Sequence, residues 1–278
     1  MTGFPGGFSI LMALYQKDKA SLFDKALDSV FSNSLQPNQI LLVIDGPIPL
    51  DLENVLVKFH QVFPGRIEEL RLKHNLGLAK ALNEGLNHVS CEWVVRADAD
   101  DINLPNRFEA LAEMIQSNPD LDILGSAIME VDETGKILAK RVVPCEQNAI
   151  LKYAQFRNPF NHMSVAYKCK SILGLGGYPN LYLKEDYALW AKALANQLQV
   201  ANTEEVLVHA TTSSSMYERR GGLRLAKTEI ELQELLVACG LKTKLRALTD
   251  GVVRAGFCLV PSQLRKLLYL KLLRARAE

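Results

Sequence analysis

No two of the five cysteines, Cys91, Cys145, Cys169, Cys239 and Cys258, stand in a CxxC spacing. An odd, scattered set excludes a disulfide framework and a cysteine-built zinc site, and it suits a reducing compartment. There is no GxGxxG and no GxxxxGKS/T string, so neither a dinucleotide fingerprint nor a P-loop is encoded. Charge of neither sign is in excess: 32 Lys and Arg face 31 Asp and Glu, a net charge of +1. That balance excludes a molecule-wide electrostatic binder of nucleic acid. No stretch reaches the roughly 18–20 apolar residues of a membrane-spanning helix. The N-terminus lacks a basic region and its apolar run, residues 8–15, is short, so no signal peptide is expected. What remains is ordinary globular composition, 48% hydrophobic and 23% charged over 278 residues. That length fits one large α/β domain with an appendage, or two small domains.

Apolar runs and amphipathic stretches alternate through the first hundred residues. Strands are predicted at 8–14, 40–44, 67–72 and 93–95. Between them helices carry Phe23, Leu27 and Val30, then residues 52–63, then Leu78, Ala81 and Leu82. Four such alternations imply a mostly parallel sheet with helices on both faces. The second strand ends in Asp45-Gly46-Pro47. The fourth runs into Arg96-Ala97-Asp98-Ala99-Asp100-Asp101. Both acidic ends therefore belong on one rim, where open α/β sheets bind ligands. Asp98 and Asp100, two apart, point to the same side of an extended chain. Clustered carboxylates repel unless a cation sits among them, and hard divalent ions want oxygen ligands. The cluster therefore reads as a metal–diphosphate site. The plainer reading is an Asp-rich turn leading into a helix. Arg96 and Arg107 flank the cluster, either to pair with it or to hold a diphosphate.

Further along, a helix follows Pro105 and a strand is predicted at 121–129. A turn at 133–136 returns through Val142-Val143, and a helix covers 149–156. Residues 164–167 read as a short strand, and the glycine-rich stretch 174–178 as mobile. Glu185 and Asp186 head an amphipathic helix. They are either N-terminal caps favoured by the helix dipole or, for Asp186, a general base. A last strand is placed at 206–208 and a polar loop at 213–222. That loop holds Arg219-Arg220-Gly221-Gly222, two bidentate donors beside a backbone that can approach an anion. A long helix at 223–239 follows. His162 and His209 lie near loops after the sheet, where a site role and a plain structural role both stand.

Four motifs now carry a resemblance. They are Asp45, then Asn75-Leu76-Gly77-Leu78-Ala79-Lys80-Ala81-Leu82-Asn83, then the Arg96–Asp101 string with Pro105 and Arg107, then Glu185-Asp186-Tyr187-Ala188-Leu189-Trp190. In this order and spacing, over roughly residues 8 to 222, the chain resembles inverting family-2 glycosyltransferases of the GT-A fold. It is similar in particular to the bacterial amylovoran type that builds exopolysaccharide, capsule or O-antigen repeats. The resemblance implies an α/β, Rossmann-like, mostly parallel central sheet flanked by helices, with a C-terminal helical extension. Residues 1–222 would form the transferase domain, with a nucleotide-binding half at 1–104 and an acceptor half at 105–222. Residues 223–278 would be the extension. Leu14, Tyr15 and Asp45 would meet the base or ribose, and Asn75, Lys80 and Arg96 would lie around the nucleotide. Asp98 and Asp100 would hold Mn²⁺ or Mg²⁺, with Asp98 also near the ribose or sugar. Asp186 would be the catalytic base, and Arg219 and Arg220 would contact the diphosphate as the loop closes. The first strand ends Ala13-Leu14-Tyr15-Gln16 where the family usually shows a Pro-Val-Tyr-Asn type of end. Gly46 stands where many members carry a second acid. These departures bear on base selectivity rather than fold.

The implied activity is transfer of a sugar from a nucleotide-sugar donor, a UDP-sugar by family preference. The acceptor would be a hydroxyl of a glycan or a lipid-linked oligosaccharide. A lone base with a metal cluster suits inversion better than the paired carboxylates of a hydrolase. From Lys242 to Arg276 there are nine basic residues and one acid, Asp250, with leucines at 264, 267, 268, 270, 272 and 273. Such a basic amphipathic tail either lies on an anionic membrane or packs on the domain. The resemblance favours a cytoplasmic enzyme peripheral to the inner face of the bacterial membrane. The alternative from another class is a catalytically silent nucleotide-sugar or glycan-binding module on the same scaffold. A sugar-phosphate nucleotidyltransferase would want a Gly- and Arg-rich loop where Tyr15-Gln16-Lys17-Asp18 stands. A DxD phosphatase would carry its acids after the first strand.

Overall fold

The structure is a computed structural model that describes residues 3–212 and 221–260. Its first half is the expected alternation: β1 (Phe8–Leu14), α1 (Ala20–Phe31), β2 (Gln39–Ile44), α2 (Leu50–Val62), β3 (Ile67–Arg71), α3 (Leu78–Leu86) and β4 (Trp93–Arg96). There follow β5 (Ile102–Asn103), α4 (Arg107–Ser117), β6 (Ile123–Val131), β7 (Ile137–Arg141) and α5 (Gln147–Tyr153). A 3₁₀ turn at His162–Ser164 then leads into β8 (Ala166–Lys168) and α6 (Cys169–Gly174), followed by α7 (Glu185–Ala195) and β9 (Val200–Thr211). Two helices, α8 (Leu223–Ala238) and α9 (Lys244–Leu259), close the described chain.

The strands form one sheet in the order β3-β2-β1-β4-β8-β6-β9-β5, with β7 on β6. β1, β2, β3, β4, β6 and β9 share a direction, while β5, β7 and β8 run against it. Strand residues alternate faces. Ile10, Met12, Ile40 and Leu42 pack with Phe23, Leu56 and Phe108 of α1, α2 and α4. Leu11, Leu41 and Val43 pack with Leu82 of α3 and Trp190 of α7 on the other face. Both faces are covered, so the strands read as unbroken apolar runs. α3 lies so close to the sheet that a Cβ on Gly85 would stand 2.6 Å from Leu11 Cδ1 and 2.8 Å from Val43 Cγ2. Leu232 and Leu236 of α8 join the Trp190 core, which seats the last two helices on α7.

Some elements depart from the sequence reading. β5 and α6 are additional. The hairpin returns through 137–141, earlier than Val142-Val143. β9 is 12 residues long, because only its segment near Leu207 is apolar enough to be read as a strand. The glycine-rich stretch is anchored at its far end: Tyr178 is buried and its backbone N–H and C=O both bond the Asn83 amide, at 2.7 and 2.9 Å. The 213–220 part of the expected lid, with Arg219 and Arg220, and the 264–276 basic leucine stretch lie outside the described residues.

Candidate active site

The sheet order changes direction between β1 and β4: β2 and β3 extend one way from β1, and β4 returns to its other side. A crevice opens at the carboxyl ends flanking such a switch. Leu14 ends β1 in the core, and its carbonyl accepts the Asp45 N–H at 2.8 Å. The Tyr15 N–H donates to Asp18 Oδ2 at 2.9 Å. Asp45 is buried. Its two carboxylate oxygens accept from the Leu76 and Gly77 backbone N–H groups at 2.6 and 2.9 Å. The Asn75 amide donates to the Asp45 carbonyl at 3.1 Å. Gly46 makes this approach possible: it takes φ +86°, and a Cβ there would stand 2.6 Å from Asn75 N. Asp45 thus fastens the loop that starts α3, which presents Asn75 and Lys80 to solvent.

β4 ends in Arg96, whose side chain is buried and whose guanidinium pairs with Asp98 and donates to the Leu11 and Ala97 carbonyls. Arg107 is also fully buried. It donates to Asn103 Oδ1, to the Arg96 carbonyl at 2.8 Å and to the Met163 carbonyl at 3.0 Å. Of the two readings for these arginines, the geometry gives the pairing one: they brace the turn that carries the acids. Asp98, Asp100 and Asp101 each offer a carboxylate oxygen, and these oxygens all lie within 4.8 Å of one another. Asp101 extends the expected pair. Its Oδ1 accepts from Thr211 N at 2.7 Å, while its Oδ2 is buried with no hydrogen-bond partner among the described residues. Burial, then the neighbouring Asp100 and Asp98 charges, hold the Asp101 carboxyl well above the usual range. Three hard oxygen donors, one of them an orphaned buried atom, suit a divalent cation.

The other wall comes from the second half of the chain. β8 runs antiparallel beside β4, so the segment before it returns to the same rim, where Arg96 N bonds the Val165 carbonyl at 2.9 Å. His162 in that segment bonds the Tyr178 hydroxyl at 3.1 Å, which in turn meets the Tyr167 hydroxyl at 3.2 Å. Burial, and then the Arg96 charge, push His162 down to about 4, although Asp186 and Asp98 both pull it the other way. Both acidic motifs therefore lie within electrostatic reach of one buried imidazole. Asp186 stands in the first turn of α7. Its Oδ1 accepts from Tyr187 N at 2.7 Å and its Oδ2 from the Asn158 amide at 2.5 Å. Glu185, buried beside it, is raised to about 7 by burial and the Asp186 charge. His209 pairs with Ile102 in the β5–β9 ladder, beside the cluster but through backbone.

Residues 9–174 match the sequence family described as Glycosyl transferase family 2. The chain is 37% identical over 269 residues to an Escherichia coli UDP-Gal:alpha-D-GlcNAc-diphosphoundecaprenol beta-1,3-galactosyltransferase, covering 96% of each. It is 35% identical over 264 residues to the amylovoran biosynthesis glycosyltransferase AmsE of Erwinia amylovora, covering 95% of this chain and 98% of that one. The chain belongs to glycosyl transferase family 2. Among solved structures it resembles the mannosyltransferase PcManGT of Pyrobaculum calidifontis in complex with GDP-Man and Mn²⁺. That match has TM-score 0.66 and 16% identity over 98% of this chain and 76% of that one. It shows the GT-A fold of this glycosyltransferase.

The transferase brings Leu14, Tyr15, Asp45, Asn75, Arg96, Asp98 and Asp100 to one rim, with Asp186 in the first turn of α7. Arg219 and Arg220 fall outside the described residues. Two participants had no separate sequence signal. Asn158 sits in the string Asn158-Pro159-Phe160-Asn161-His162, whose polar residues between apolar ones look like an ordinary loop apart from His162, marked by its place after the sheet. Asp101 is separated from Asp100 only by its burial.

Proposed function

We propose that this transferase moves a sugar, with inversion, from a UDP-sugar to a hydroxyl of a lipid-linked glycan during bacterial surface-polysaccharide synthesis. The observation that carries the reading is the carboxylate cluster just after β4, with Asp186 within electrostatic reach of the same buried His162 as the cluster. Donor and acceptor classes are drawn from the galactosyltransferase relative, which spans 96% of this chain.

In the mechanism Asp98, Asp100 and Asp101 hold a divalent cation, Mn²⁺ or Mg²⁺. When bound, that cation offsets negative charge growing on the leaving diphosphate. Leu14, Tyr15 and the loop fastened by Asp45 form the nucleotide wall, with Asn75 and Lys80 around it and buried Arg96 bracing Asp98 beneath it, and Arg219 and Arg220 are assigned to the diphosphate contact. Asp186 takes the proton from the acceptor hydroxyl as it attacks the anomeric carbon. The Tyr187 N–H holds one oxygen of its carboxylate at the start of α7. Buried Tyr178, Tyr167 and Trp190 limit water behind the base, which guards the donor against hydrolysis.

The surface of α9 supports contact with an anionic membrane. Leu245, Leu248, Val252 and Val253 are exposed on it at 62–75%, beside Lys244 and Arg246. No helix among the described residues is long and apolar enough to cross a membrane. The extension therefore acts as a peripheral contact, with the basic leucine stretch that follows it.

The test is transfer from UDP-galactose and other UDP-sugars to GlcNAc-diphosphoundecaprenol, with and without EDTA, reading the product's anomeric configuration by NMR. Metal-dependent transfer with a β product from an α donor is expected. Binding of nucleotide-sugar without turnover on any such acceptor would support the silent-module reading instead. Asp186→Asn is expected to bind donor and lose transfer.

A further inference from the structure

The reaction above leaves one set of buried polar contacts unused. Asp186 is flanked in space by two chain segments: Lys184, just ahead of it at the start of α7, and the 154–158 segment that carries Asn158. Both are gripped from outside by the last two helices. On α8, Glu229 is buried. Its Oε1 lies 2.7 Å from Lys184 Nζ, and its Oε2 lies 3.8 Å from Arg254 Nη1 on α9. Arg254 also donates to the Phe156 carbonyl, and Arg246 stacks on the Phe156 ring at 4.1 Å. Two residues on, Asn158 donates to Asp186 Oδ2 and accepts from Phe160 N at 3.3 Å.

We propose that Asn158 is the positioning residue of Asp186. The α8–α9 pair, through Glu229 and Arg254, is the frame that holds both segments around it. This rests on the reading of Asp186 as the base. Apolar packing of Leu232 and Leu236 already attaches α8 to the core. An arginine and a buried glutamate are not needed for attachment, since buried ion pairs are weak sources of stability. They do supply direction. The guanidinium donates to the Phe156 carbonyl while its charge lies beside Glu229 Oε2 in a longer ionic contact, and the carbonyl it fixes leads straight to Asn158. The Asn158 bond then leaves the Asp186 carboxylate one orientation, with Tyr187 N–H on its other oxygen.

The experiment measures kcat and donor KM in the full-length chain. Asn158→Ala is expected to lower kcat about ten- to a hundred-fold, the scale of a misplaced reacting group. Donor KM and the nucleotide-induced rise in Tm stay at wild-type values. Arg254→Met lowers kcat several-fold with the same KM, and Arg254→Lys recovers part of the loss. If Arg254→Met does not fold, Arg254→Lys and Glu229→Gln carry the same comparison. Wild-type kcat in Asn158→Ala overturns the positioning role. A change confined to Tm in the Arg254 and Glu229 variants overturns the frame. Retained transfer in Asp186→Asn removes the base reading itself, whereas a dead Asp186→Asn beside a normal Asn158→Ala removes only the positioning.

Discussion

Replacing Asp45 by alanine separates two roles that the geometry joins. A residue that only touched nucleotide could be removed without cost to folding. Asp45 instead accepts two backbone N–H bonds, from Leu76 and Gly77, while buried to 4% exposure. Hydrogen bonds to a charged group contribute roughly 1.5–3 kcal/mol each. Leu76 is 42% exposed, so water recovers part of what its amide loses. The expected net cost is about 3 kcal/mol. With a urea slope of about 3 kcal/mol/M, the midpoint falls by about 1 M. Asp45→Asn keeps one acceptor oxygen and should cost about half as much by the same count. Donor affinity should fall in parallel in both variants, because the loop that presents Asn75 is no longer fixed. The assay is urea unfolding followed by tryptophan fluorescence, with nucleotide titration on the same samples. A wild-type urea midpoint in Asp45→Ala, with donor binding lost, would refute the anchoring argument and leave a pure ligand contact.

Four further outcomes are expected. His162 titrates near 4 in the folded protein against 6.5 ordinarily, so between those values the unfolded chain binds a proton that the native state does not. Stability therefore rises with pH across that window, is fully present above about 6.5, and is lost on acidification, by on the order of 3 kcal/mol. His162→Gln should flatten that slope when urea midpoints are compared at the two ends of the window. Asp100→Asn should abolish the extra rise in Tm that Mn²⁺ gives to the UDP complex, a rise set by mass action; a full rise in the variant would remove Asp100 from the metal site. Gly46→Ala should cost stability and donor affinity together, as its Cβ would collide with the Asn75 backbone, and differential scanning fluorimetry with UDP reads both. Val252→Glu with Val253→Glu should reduce sedimentation with vesicles of anionic phospholipid while transfer to a water-soluble acceptor holds; unchanged sedimentation would take the membrane contact away from α9.

The first half of the fold was legible because β1, β2 and β4 are buried on both faces. Ile40-Leu41-Leu42-Val43-Ile44 can hardly be anything but a central strand, and its successor Asp45 had to fall at the ligand rim. The second half was harder to read. β5 is two residues long and exists only because β9 pairs with it. β9 itself carries Asn202, Glu204 and Glu205, so its first half looks like loop; its pairing with β6 shifts register there. The glycines at 174–177 suggested freedom, but the side chain that fixes Tyr178 is Asn83, 95 positions away. Site residues divide the same way. The acids were visible as motifs, since carboxylates after a strand have few structural uses. Asn158 was invisible, because an amide earns its role only through what tertiary structure sets beside it.

The antiparallel strand β8 explains why the site needs the whole chain. A purely parallel sheet would bring only strand ends to the rim, and with them Asp45 and the cluster. Because β8 runs against β4, its amino end meets the carboxyl end of β4, with Ala166 opposite Val95. The segment from Asn158 to Ser164 is thereby delivered to the metal side of the molecule. Arg107 locks the two together by donating at once to the Arg96 and Met163 carbonyls. α7 then needs only to begin at that segment for Asp186 to face the cluster. The donor wall is built by parallel strands and the base wall by one reversed strand. A substitution at Arg107, remote from both substrates and wholly buried, should therefore move the walls relative to each other. Arg107→Met should lower kcat more than it lowers nucleotide affinity, because each wall survives alone and only their separation is lost; equal losses in both would mean that Arg107 supports the donor wall only.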